Sequence, residues 1–446
     1  MSRTILAIDI GSTKVSSVIA QQEEELSIVG VGVTKATGLK KGIITNIDLA
    51  ARSIKDAYDD ANRIAGTSPK NAIVSISGAY IKSTNSSGIV NIPNKEISLE
   101  EINRVMQTAL YNANIPNEYE VIHVLPYKFK VDEQDFIEDP LGMNASRLEV
   151  HVHIITAQKS SIYNLKKAVR QAGIEIENVV LSGYASAIAT LNEDEKELGA
   201  CVIDMGGSTC DLVVHSGNSI VYNDFLGVGS MHITNDLSMA LHTPLATAEE
   251  IKIFYGDLKE PKSDYIEIPV IGEENTTHQV SLEIVYNVIY ARVEETLMIL
   301  AKSLEKSGLK EQVGAGVVLT GGMAKLPGIR ELASAIFDNM PVRLARPKEI
   351  AGVNQELKDP AFSTVTGLVL YGAGEFTPYE IDSANRLRYP HEETIVSDTT
   401  NFPKPEIPEI EQNESVLEDL TLNFEEKKPT LKEKMSKLTR WITQLF

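Results

Sequence analysis

Two short glycine-rich turns carry the residues in this sequence that are best suited to chemistry. Asp9 precedes the turn Gly11-Ser12-Thr13-Lys14, and Asp204 precedes the turn Gly206-Gly207-Ser208-Thr209. Glycine lets the backbone come close to a ligand, so that successive N–H groups can point at phosphate oxygens. The hydroxyl groups add donors, and Lys14 adds a positive charge. Asp9 and Asp204 can hold a hydrated Mg²⁺, so the pattern predicts a site for a phosphate-bearing metal complex.

The repetition of the turn is what makes this prediction specific. One such turn alone is typical of a tight β-hairpin. Here Ala7–Lys14 and Val202–Thr209 match position by position, and they are far apart in the chain. Such a wide separation indicates two related lobes, because solenoid repeats recur every 20–50 residues or so. A third glycine turn, Gly321-Gly322-Met323, follows another apolar run and is predicted to lead into a helix near 327–336.

The elements that must position these turns alternate between strand and helix. This alternation continues from Ser2 to about Tyr389 and predicts an α/β architecture. The first two turns are each flanked by predicted strands, namely 4–10 and 15–20, then 200–204 and 210–215. Between the lobes, a helix near 99–113 and strand-like runs at 88–92, 121–124 and 147–156 predict a small inserted α+β subdomain.

The composition excludes several classes of protein. A formal net charge of −20 over 446 residues argues against a nucleic-acid binder, which needs basic surface. The two cysteines, Cys201 and Cys210, form no disulfide framework and are predicted to be small core residues in a reducing cytosol. No apolar run is long enough to span a membrane, and the first residues do not have the pattern of a signal peptide.

The C-terminal part has a different character. Residues 386–428 are acidic and contain several prolines, which predicts a disordered linker. Within it, Val416–Phe424 is either a transient helix or a docking motif. Residues 429–446 then form a predicted basic amphipathic helix that is too short to cross a bilayer. Such a helix can lie in the headgroup layer of an anionic membrane, or it can dock on the globular body or on a partner's groove.

The predicted membrane contacts of this helix comprise an apolar set and a basic set. The apolar set is Leu431, Met435, Leu438, Trp441, Ile442, Leu445 and Phe446. The basic set is Lys432, Lys434, Lys437 and Arg440.

The glycine turns resemble those of the superfamily of actin, heat-shock chaperone and sugar-kinase ATPases, which hold ATP between two related lobes. Ala7–Val15 is similar to the first phosphate motif, Val202–Val213 to the second, and Val317–Ile329 to the adenosine motif. The resemblance implies an actin-like fold with duplicated ribonuclease-H-like lobes, and ATP with Mg²⁺ as ligands. It also implies that Glu249 and Lys252 face the ribose and base. The alternative for these two residues is an ordinary ion pair on one helical face.

Over its whole length the chain resembles the FtsA family of bacterial cell-division proteins. The resemblance implies a first lobe at 1–80 and 160–198, an inserted subdomain at 81–159 and a second lobe at 199–385. The linker at 386–428 and the amphipathic helix at 429–446 follow. Leu181–Ala187 and Val365–Gly372 are similar to the two helices that connect the lobes.

The resemblance also implies a function. Members tether filaments of the tubulin-like protein FtsZ to the inner face of the cytoplasmic membrane at the division site, polymerise with themselves and recruit later division proteins. The C-terminal peptide of FtsZ docks near a motif that Val288–Arg292 matches, so Arg292 is the candidate contact. The alternative is that Arg292 pairs with Glu295 on the same helix.

Turnover is predicted to be weak or absent, and no catalytic residue is assigned. Hydrolytic members of the superfamily place a glutamate near the start of the first connecting helix, where this chain has Ser182, Gly183 and Tyr184. The alternative function is an enzyme on the same fold, such as a chaperone-type ATPase or a kinase. A third alternative, a pilus-assembly relative, should not carry the acidic linker and the basic helix. His151 and His153 alternate along a predicted strand and are expected to be structural.

Overall fold

The chain begins with a β-meander that carries the first glycine turn. The computed structural model describes residues 3–260, 263–272, 276–352 and 355–389. The opening elements are β1 (Arg3–Ile10), β2 (Lys14–Gln22), β3 (Leu26–Lys35), the short hairpin of β4 (Leu39–Lys40) and β5 (Ile43–Ile44), α1 (Ile47–Ala65) and β6 (Asn71–Ile76). β1 and β2 pair antiparallel around the turn, and β6 lies parallel to β1 on its other side.

Local signals in the sequence account for the boundaries of α1. The side chain of Asn46 accepts a hydrogen bond from the amide of Leu49, which satisfies a free donor at the helix N-terminus. Gly66 ends the helix in the left-handed region, with φ of 67°. One face of α1, including Ile54, is buried in the core of the first lobe.

The inserted subdomain is a sheet covered by one helix. Its elements are β7 (Ile81–Asn91), α2 (Leu99–Asn112), β8 (Tyr119–Val131), β9 (Gln134–Ile137) and β10 (Arg147–Gln158). The strands lie in the order β7-β10-β8-β9, and the neighbouring strands are antiparallel. Ser98 caps α2 in a reciprocal capping box with Glu101.

The chain then returns to the first lobe and enters the second. The returning elements are α3 (Lys159–Gln171), β11 (Glu175–Leu181), α4 (Ser182–Thr190) and α5 (Glu193–Leu198). The second lobe comprises β12 (Ala200–Met205), β13 (Cys210–Ser216), β14 (Ser219–Leu226), α6 (Ser230–Ala240), α7 (Leu245–Tyr255), β15 (Tyr265–Pro269), β16 (Thr277–Ser281), α8 (Leu282–Ser307), β17 (Gly316–Thr320), α9 (Ile329–Ile336) and β18 (Val342–Leu344). β19 (Ala351–Gly352) and α10 (Ser363–Ala373) complete the described elements.

The two lobes are built on the same strand plan. The first sheet has the order β11-β6-β1-β2-β3, extended at the edge by β19, and the second has the order β18-β17-β12-β13-β14. In each sheet the first three strands of the lobe are antiparallel, and the two later strands run parallel to the first. The predicted duplication of the lobe is therefore confirmed.

The two helices predicted to connect the lobes are buried between the sheets. Every residue of α4 is buried, as are all but the last of α10. Both helices contribute to a core that also contains residues from both sheets, such as Val18 and Val202. Because each helix contacts both lobes, a movement of one lobe must be accommodated at α4 and α10.

One predicted boundary is corrected. The globular body was predicted to extend to about Tyr389 and the disordered linker to begin at residue 386, and the structure supports the former because Arg386–Tyr389 pack against the body. The side chain of Arg388 is buried over the ring of Tyr371, and its amide donates to the carbonyl of Glu380 at 2.9 Å. Composition alone missed this because the arginine is stabilised by an aromatic face and by Glu380, which come from other parts of the chain.

Within the described ranges, no helix combines the length and the apolar character that a membrane span requires.

Candidate functional site

The three glycine turns lie at the carboxyl ends of central strands. Asp9 is at the end of β1, and Asp204 is at the end of β12. Asp204 is the register partner of Thr320, the residue before the third turn, because β12 and β17 are parallel neighbours. The carboxyl ends of parallel strands are where α/β sheets bind ligands. The sheets therefore bring the three turns to one place.

The first two turns contact each other across the boundary between the lobes. A Cβ atom placed on Gly207 would lie 2.2 Å from Cγ2 of Thr13. A side chain at position 207 would therefore displace the side chain of Thr13 in the first turn. The turns that were predicted to hold one ligand from two lobes are in fact neighbours.

Each turn is held rigidly by neighbouring backbone. The amide of Gly42 donates to Oγ of Ser12 at 2.8 Å, which ties the β4–β5 hairpin to the first turn. The amides of Ser230 and Met231 donate to the carbonyls of Gly206 and Gly207, at 3.1 and 2.7 Å. The second turn is thereby fixed to the first turn of α6, and the amide of Gly206 closes it on the carbonyl of Thr209 at 2.8 Å.

Asp9 and Asp204 are each oriented by hydroxyl groups. Oγ of Ser75 donates to Asp9 at 2.8 Å. Asp204 accepts from Ser186 on α4 at 2.5 Å and from Thr364 on α10 at 3.0 Å. Asp204 is thus bonded to both helices that connect the lobes. Burial raises the pKa of Asp9 to about 6 and also raises the pKa of Asp204, although nearby Lys14 opposes both shifts.

The structure adds a third carboxylate, Asp211, that the sequence analysis missed. Asp211 is the cross-strand partner of Asp204 in the β12–β13 hairpin, so both side chains are on one face. It accepts a hydrogen bond from Ser77 of the first lobe at 2.6 Å. Burial, helped by Asp204 and Asp9, raises its pKa to about 7. The register of the predicted hairpin could have identified Asp211 from the sequence, because it places Asp211 opposite Asp204.

Lys14 is a buried cation in need of a partner. Within the described part of the chain its Nζ has no hydrogen-bond acceptor, although the atom is excluded from solvent. It lies 3.1 Å from the centroid of the Phe362 ring, which supports it by a cation–π contact. Burial lowers the pKa of Lys14 to about 8. A buried ammonium with unused donors favours an anionic ligand, since an unpaired buried donor costs about 1–3 kcal/mol.

Glu249 and Lys252 lie behind the second turn. Nζ of Lys252 donates to Glu249 at 2.7 Å and to the carbonyl of Ser230 at 3.3 Å. The ion pair that sequence analysis offered as an alternative is therefore present. Both partners are in α7, and their further bonds to Ser230 and Thr234 fix that helix to α6, while the carboxylate of Glu249 remains partly exposed.

The third turn can present its backbone to a ligand, but not the side chain of Met323. Gly321 and Gly322 begin a 3₁₀ turn that ends at Lys325, and the amide of Gly321 donates to the carbonyl of Pro360 at 3.2 Å. The Met323 side chain is buried in the core of the second lobe. A contact from Met323 to a ligand would therefore have to come from its main chain.

The remaining candidates are outside this cluster. Arg292 on α8 makes a two-pronged ion pair with Asp236 of α6, at 2.5 and 3.1 Å, and also bonds Glu295 at 2.5 Å. The pair with Asp236 was not foreseen. All of the predicted membrane contacts, from Leu431 to Phe446, lie outside the described residues.

Of the residues expected to be structural, Cys201, Cys210 and His153 are buried, whereas His151 is partly exposed and lies 3.3 Å from Glu149. Cys201 and Cys210 are fully buried. His153 is buried, and its two ring nitrogens bond Asn85 and Asn223 at 2.7 and 2.9 Å. This histidine therefore joins the inserted subdomain to β14 of the second lobe.

Asp211→Asn should stabilise the ligand-free protein at pH 8. The folded pKa of about 7 is above the ordinary value of 3.8, so the fold loses stability as pH rises between these values. Asparagine can still accept from Ser77 but carries no charge, and the expected gain at pH 8 is roughly 1–2 kcal/mol. Urea unfolding at pH 8 and pH 5 measures it. The gain should shrink at pH 5, and an equal gain at both pH values would contradict the assignment.

Two family models match the chain. One described as "Cell division protein FtsA" matches residues 201–367, and one described as "SHS2 domain inserted in FTSA" matches residues 78–156. The cell division protein FtsA of Helicobacter pylori is 42% identical over 434 residues, covering 90% of this chain and 88% of that protein. The FtsA of Pseudomonas aeruginosa is 36% identical over 375 residues, covering 83% of this chain and 89% of that protein.

Solved structures share the architecture at low identity. A chain of a PilM–PilN type IV pilus biogenesis complex superposes with a TM-score of 0.59 at 19% identity, covering 82% of this chain and 98% of that chain. MreB5 of Spiroplasma citri bound to ADP superposes with a TM-score of 0.51 at 16% identity, covering 83% and 96%. These likenesses concern the fold alone. With the matched insertion, they confirm the predicted actin-like α/β fold carrying an inserted subdomain.

Proposed function

Because this chain belongs to the FtsA family of cell division proteins, we propose that it is an ATP-binding, actin-like scaffold of the division machinery. It tethers FtsZ filaments to the cytoplasmic face of the membrane at the division site, self-associates and recruits later division proteins. The observation that carries the nucleotide part is the contact between two matching glycine turns beside an unpaired, buried Lys14.

The residues of the cleft fit Mg·ATP. The backbone of the two turns and the ammonium of Lys14 would hold phosphate oxygens. Asp9 and Asp204 would hold the metal through its waters, and the described residues contain no group of three carboxylate, histidine or cysteine side chains placed to bind it directly. When bound, Mg²⁺ supplies positive charge that neutralises the phosphates. Asp9 and Asp211 are buried carboxylates whose pKa values are raised mainly by that burial, so a bound cation would supply the counter-charge that burial denies them.

The membrane part of the proposal rests on the sequence of residues 429–446. Burying about seven apolar side chains is worth roughly 1.5–3 kcal/mol each, and nearby cations add about 1 kcal/mol each at an anionic surface. Ordering the helix costs about 1–2 kcal/mol per residue in backbone entropy, which offsets much of this. One copy should therefore bind reversibly, and a polymer carrying many copies should bind firmly.

The second lobe offers a surface for the acidic C-terminal peptide of FtsZ. Met239, which is 67% exposed, lies one turn after Asp236 on α6, and Asp236 bonds Arg292. Large apolar side chains exposed near a charged group are typical of a docking surface. Arg292 is the cation at this surface, although Asp236 and Glu295 already share its charge.

Arg292→Glu should weaken binding of the FtsZ C-terminal peptide by roughly tenfold or more, because it replaces an attractive charge with a repulsive one. Fluorescence anisotropy with a labelled peptide measures the affinity. Asp236→Asn is the matched control, since it breaks the same internal ion pair and leaves the cation in place. If both variants lose peptide binding equally, Arg292 acts by holding α6 and α8 together and not by contacting the peptide.

An enzyme on the same fold is the second candidate function. Asp211 favours this enzyme candidate, because a carboxylate with a pKa of about 7 in the cleft is suited to orient or deprotonate a water. Tyr184, at the start of α4, bonds Glu380 and Thr377 and is buried away from this role. Phosphate release by the full chain distinguishes the two candidates. Turnover of about 1 s⁻¹ or faster is typical of working kinases and would favour the enzyme.

One experiment tests the scaffold as a whole. Electron microscopy of the full chain on anionic lipid monolayers, with and without Mg·ATP and FtsZ, should show filaments on the lipid that recruit FtsZ. A chain that stays off the lipid, or that leaves FtsZ in solution, would refute the tethering role.

A further inference from the structure

Lys41 occupies the tip of the β4–β5 hairpin, and the function proposed above gives it no task. Lys41 and Gly42 are the two turn residues, and both have positive φ, at 52° and 76°. Two-residue turns of this kind favour asparagine, aspartate or glycine at the first position. Lysine rarely adopts this left-handed conformation, although several other described non-glycine residues, among them Lys95, do so as well.

The side chain of Lys41 reaches from the first lobe to the second. Its Cδ lies 3.4 Å, and its Nζ 3.9 Å, from the position that a Cβ on Gly227 would occupy. These are ordinary van der Waals distances, so the lysine stem lies against Gly227 and a side chain larger than methyl there would displace it. Gly227 is in the segment between β14 and α6, just before Ser230, whose amide bonds the second phosphate turn.

The hairpin is anchored at its other side to the first phosphate turn. The amide of Gly42, next to Lys41, donates to Oγ of Ser12 at 2.8 Å. The two phosphate turns contact each other at Thr13 and Gly207. Lys41 is an exposed residue whose neighbour Gly42 bonds the first turn and whose stem contacts Gly227 of the second lobe.

The ammonium of Lys41 is available to a ligand. Within the described residues no hydrogen bond or ion pair engages it, in contrast to Lys252 or Arg292. It is close enough to the start of α6 to lower the pKa of His232, after the larger effect of burial. That histidine's Nδ1 accepts from the amide of Gly229 at 3.2 Å, next to the segment that supports the second turn.

We propose that Lys41 contacts the terminal phosphate of a bound nucleoside triphosphate and so distinguishes ATP from ADP. The inference rests on the proposed nucleotide function and adds a residue that the phosphate motifs do not contain. With ATP, the lysine donates to the γ-phosphate while its stem remains against Gly227, which holds the lobes together. ADP has no γ-phosphate to accept this hydrogen bond, so with ADP the contact of Lys41 with Gly227 contributes less to holding the lobes together.

Calorimetric titration of the full chain with Mg·AMP-PNP and with Mg·ADP tests the proposal. Lys41→Gln should weaken AMP-PNP binding by about tenfold or more, as expected for a lost hydrogen bond between charged groups, and ADP binding by less than about twofold. Lys40→Gln is the matched control, because it removes the same charge from the adjacent, exposed position and should leave both affinities unchanged.

A second variant separates the position of the lysine from its charge. Gly227→Leu keeps Lys41 but places a side chain where the lysine stem lies. Like Lys41→Gln, this variant should therefore reduce the preference for AMP-PNP over ADP. Thermal unfolding checks that each variant is folded.

The outcomes that would overturn the proposal are distinct from those that would overturn the function. Equal losses for both nucleotides, no loss for either, or the same effect from Lys40→Gln would each refute the role of Lys41. A wild-type chain that binds neither nucleotide would refute the proposed ATP-binding function itself.

Discussion

Asp204→Asn should weaken the binding of Mg·ATP by about 100-fold or more, which corresponds to roughly 3 kcal/mol. Asparagine has nearly the same shape and can still accept the hydrogen bonds that Ser186 and Thr364 donate. It has no negative charge, so it cannot hold the hydrated metal as a carboxylate does. Titration of the full chain with ATP in the presence of Mg²⁺ measures the loss.

The metal dependence of this loss is the critical control. In excess EDTA, ATP should bind the variant and the wild type with similar affinity. The carboxylate of Asp204 is expected to bind the hydrated Mg²⁺ and not ATP itself, so its loss should matter only when the metal is present. Asp236→Asn, which removes a carboxylate of the same lobe paired with Arg292, should bind Mg·ATP as the wild type does. If Asp204→Asn binds Mg·ATP normally, or loses affinity equally with and without metal, the assignment of Asp204 is wrong.

Leu438→Glu should reduce binding to anionic vesicles to the level of a chain that ends at residue 428. The change removes an apolar side chain worth about 1.5–3 kcal/mol in burial and adds a charge that an anionic surface repels by about 1 kcal/mol. Together these predict a loss of roughly 100-fold or more. Co-sedimentation with liposomes measures the bound fraction.

Ser436→Glu is the matched control for the charge alone. It adds the same negative charge on the same predicted helix but removes no apolar contact, so its effect should be roughly fivefold. Equal pelleting of the full and truncated chains would end the membrane interpretation, and it would favour a helix that docks on protein.

The two changes should also be independent of each other. Asp204→Asn should leave the binding of the monomer to vesicles unchanged, and Leu438→Glu should leave the affinity for Mg·ATP unchanged. A loss of both activities in both variants would mean that the nucleotide site and the C-terminal helix do not act as separate modules.

Much of the fold was accessible from the sequence because its signals are local. The apolar runs before Asp9 and Asp204, with the same small residues after each, predicted two hairpins of one kind, and β1–β2 and β12–β13 are those hairpins. The helices α4 and α10 were instead expected from the resemblance of Leu181–Ala187 and Val365–Gly372 to the connecting helices of the family. The inserted subdomain followed from the strand-like runs between the lobes. These features depend on patterns within about ten residues, where propensity and periodicity are informative.

The composition of the first two turns also predicted their position in the fold. Glycine and hydroxyl residues that directly follow a buried strand must lie at the carboxyl end of that strand. Asp9, Thr13, Lys14 and Asp204 do meet there. What these residues bind remains a prediction until the titrations are done.

The tertiary structure decided which further residues meet them. Asp211 joins the cleft through the register of β13 on β12, and Phe362 reaches Lys14 from the segment before α10. Lys41 faces Gly227, and Arg292 bonds Asp236, through contacts between elements that are distant in sequence. The amino-acid sequence thus determined the hairpins, their turns and the chemistry they carry. The partners of those turns depend on how separately formed elements pack, which no local pattern records.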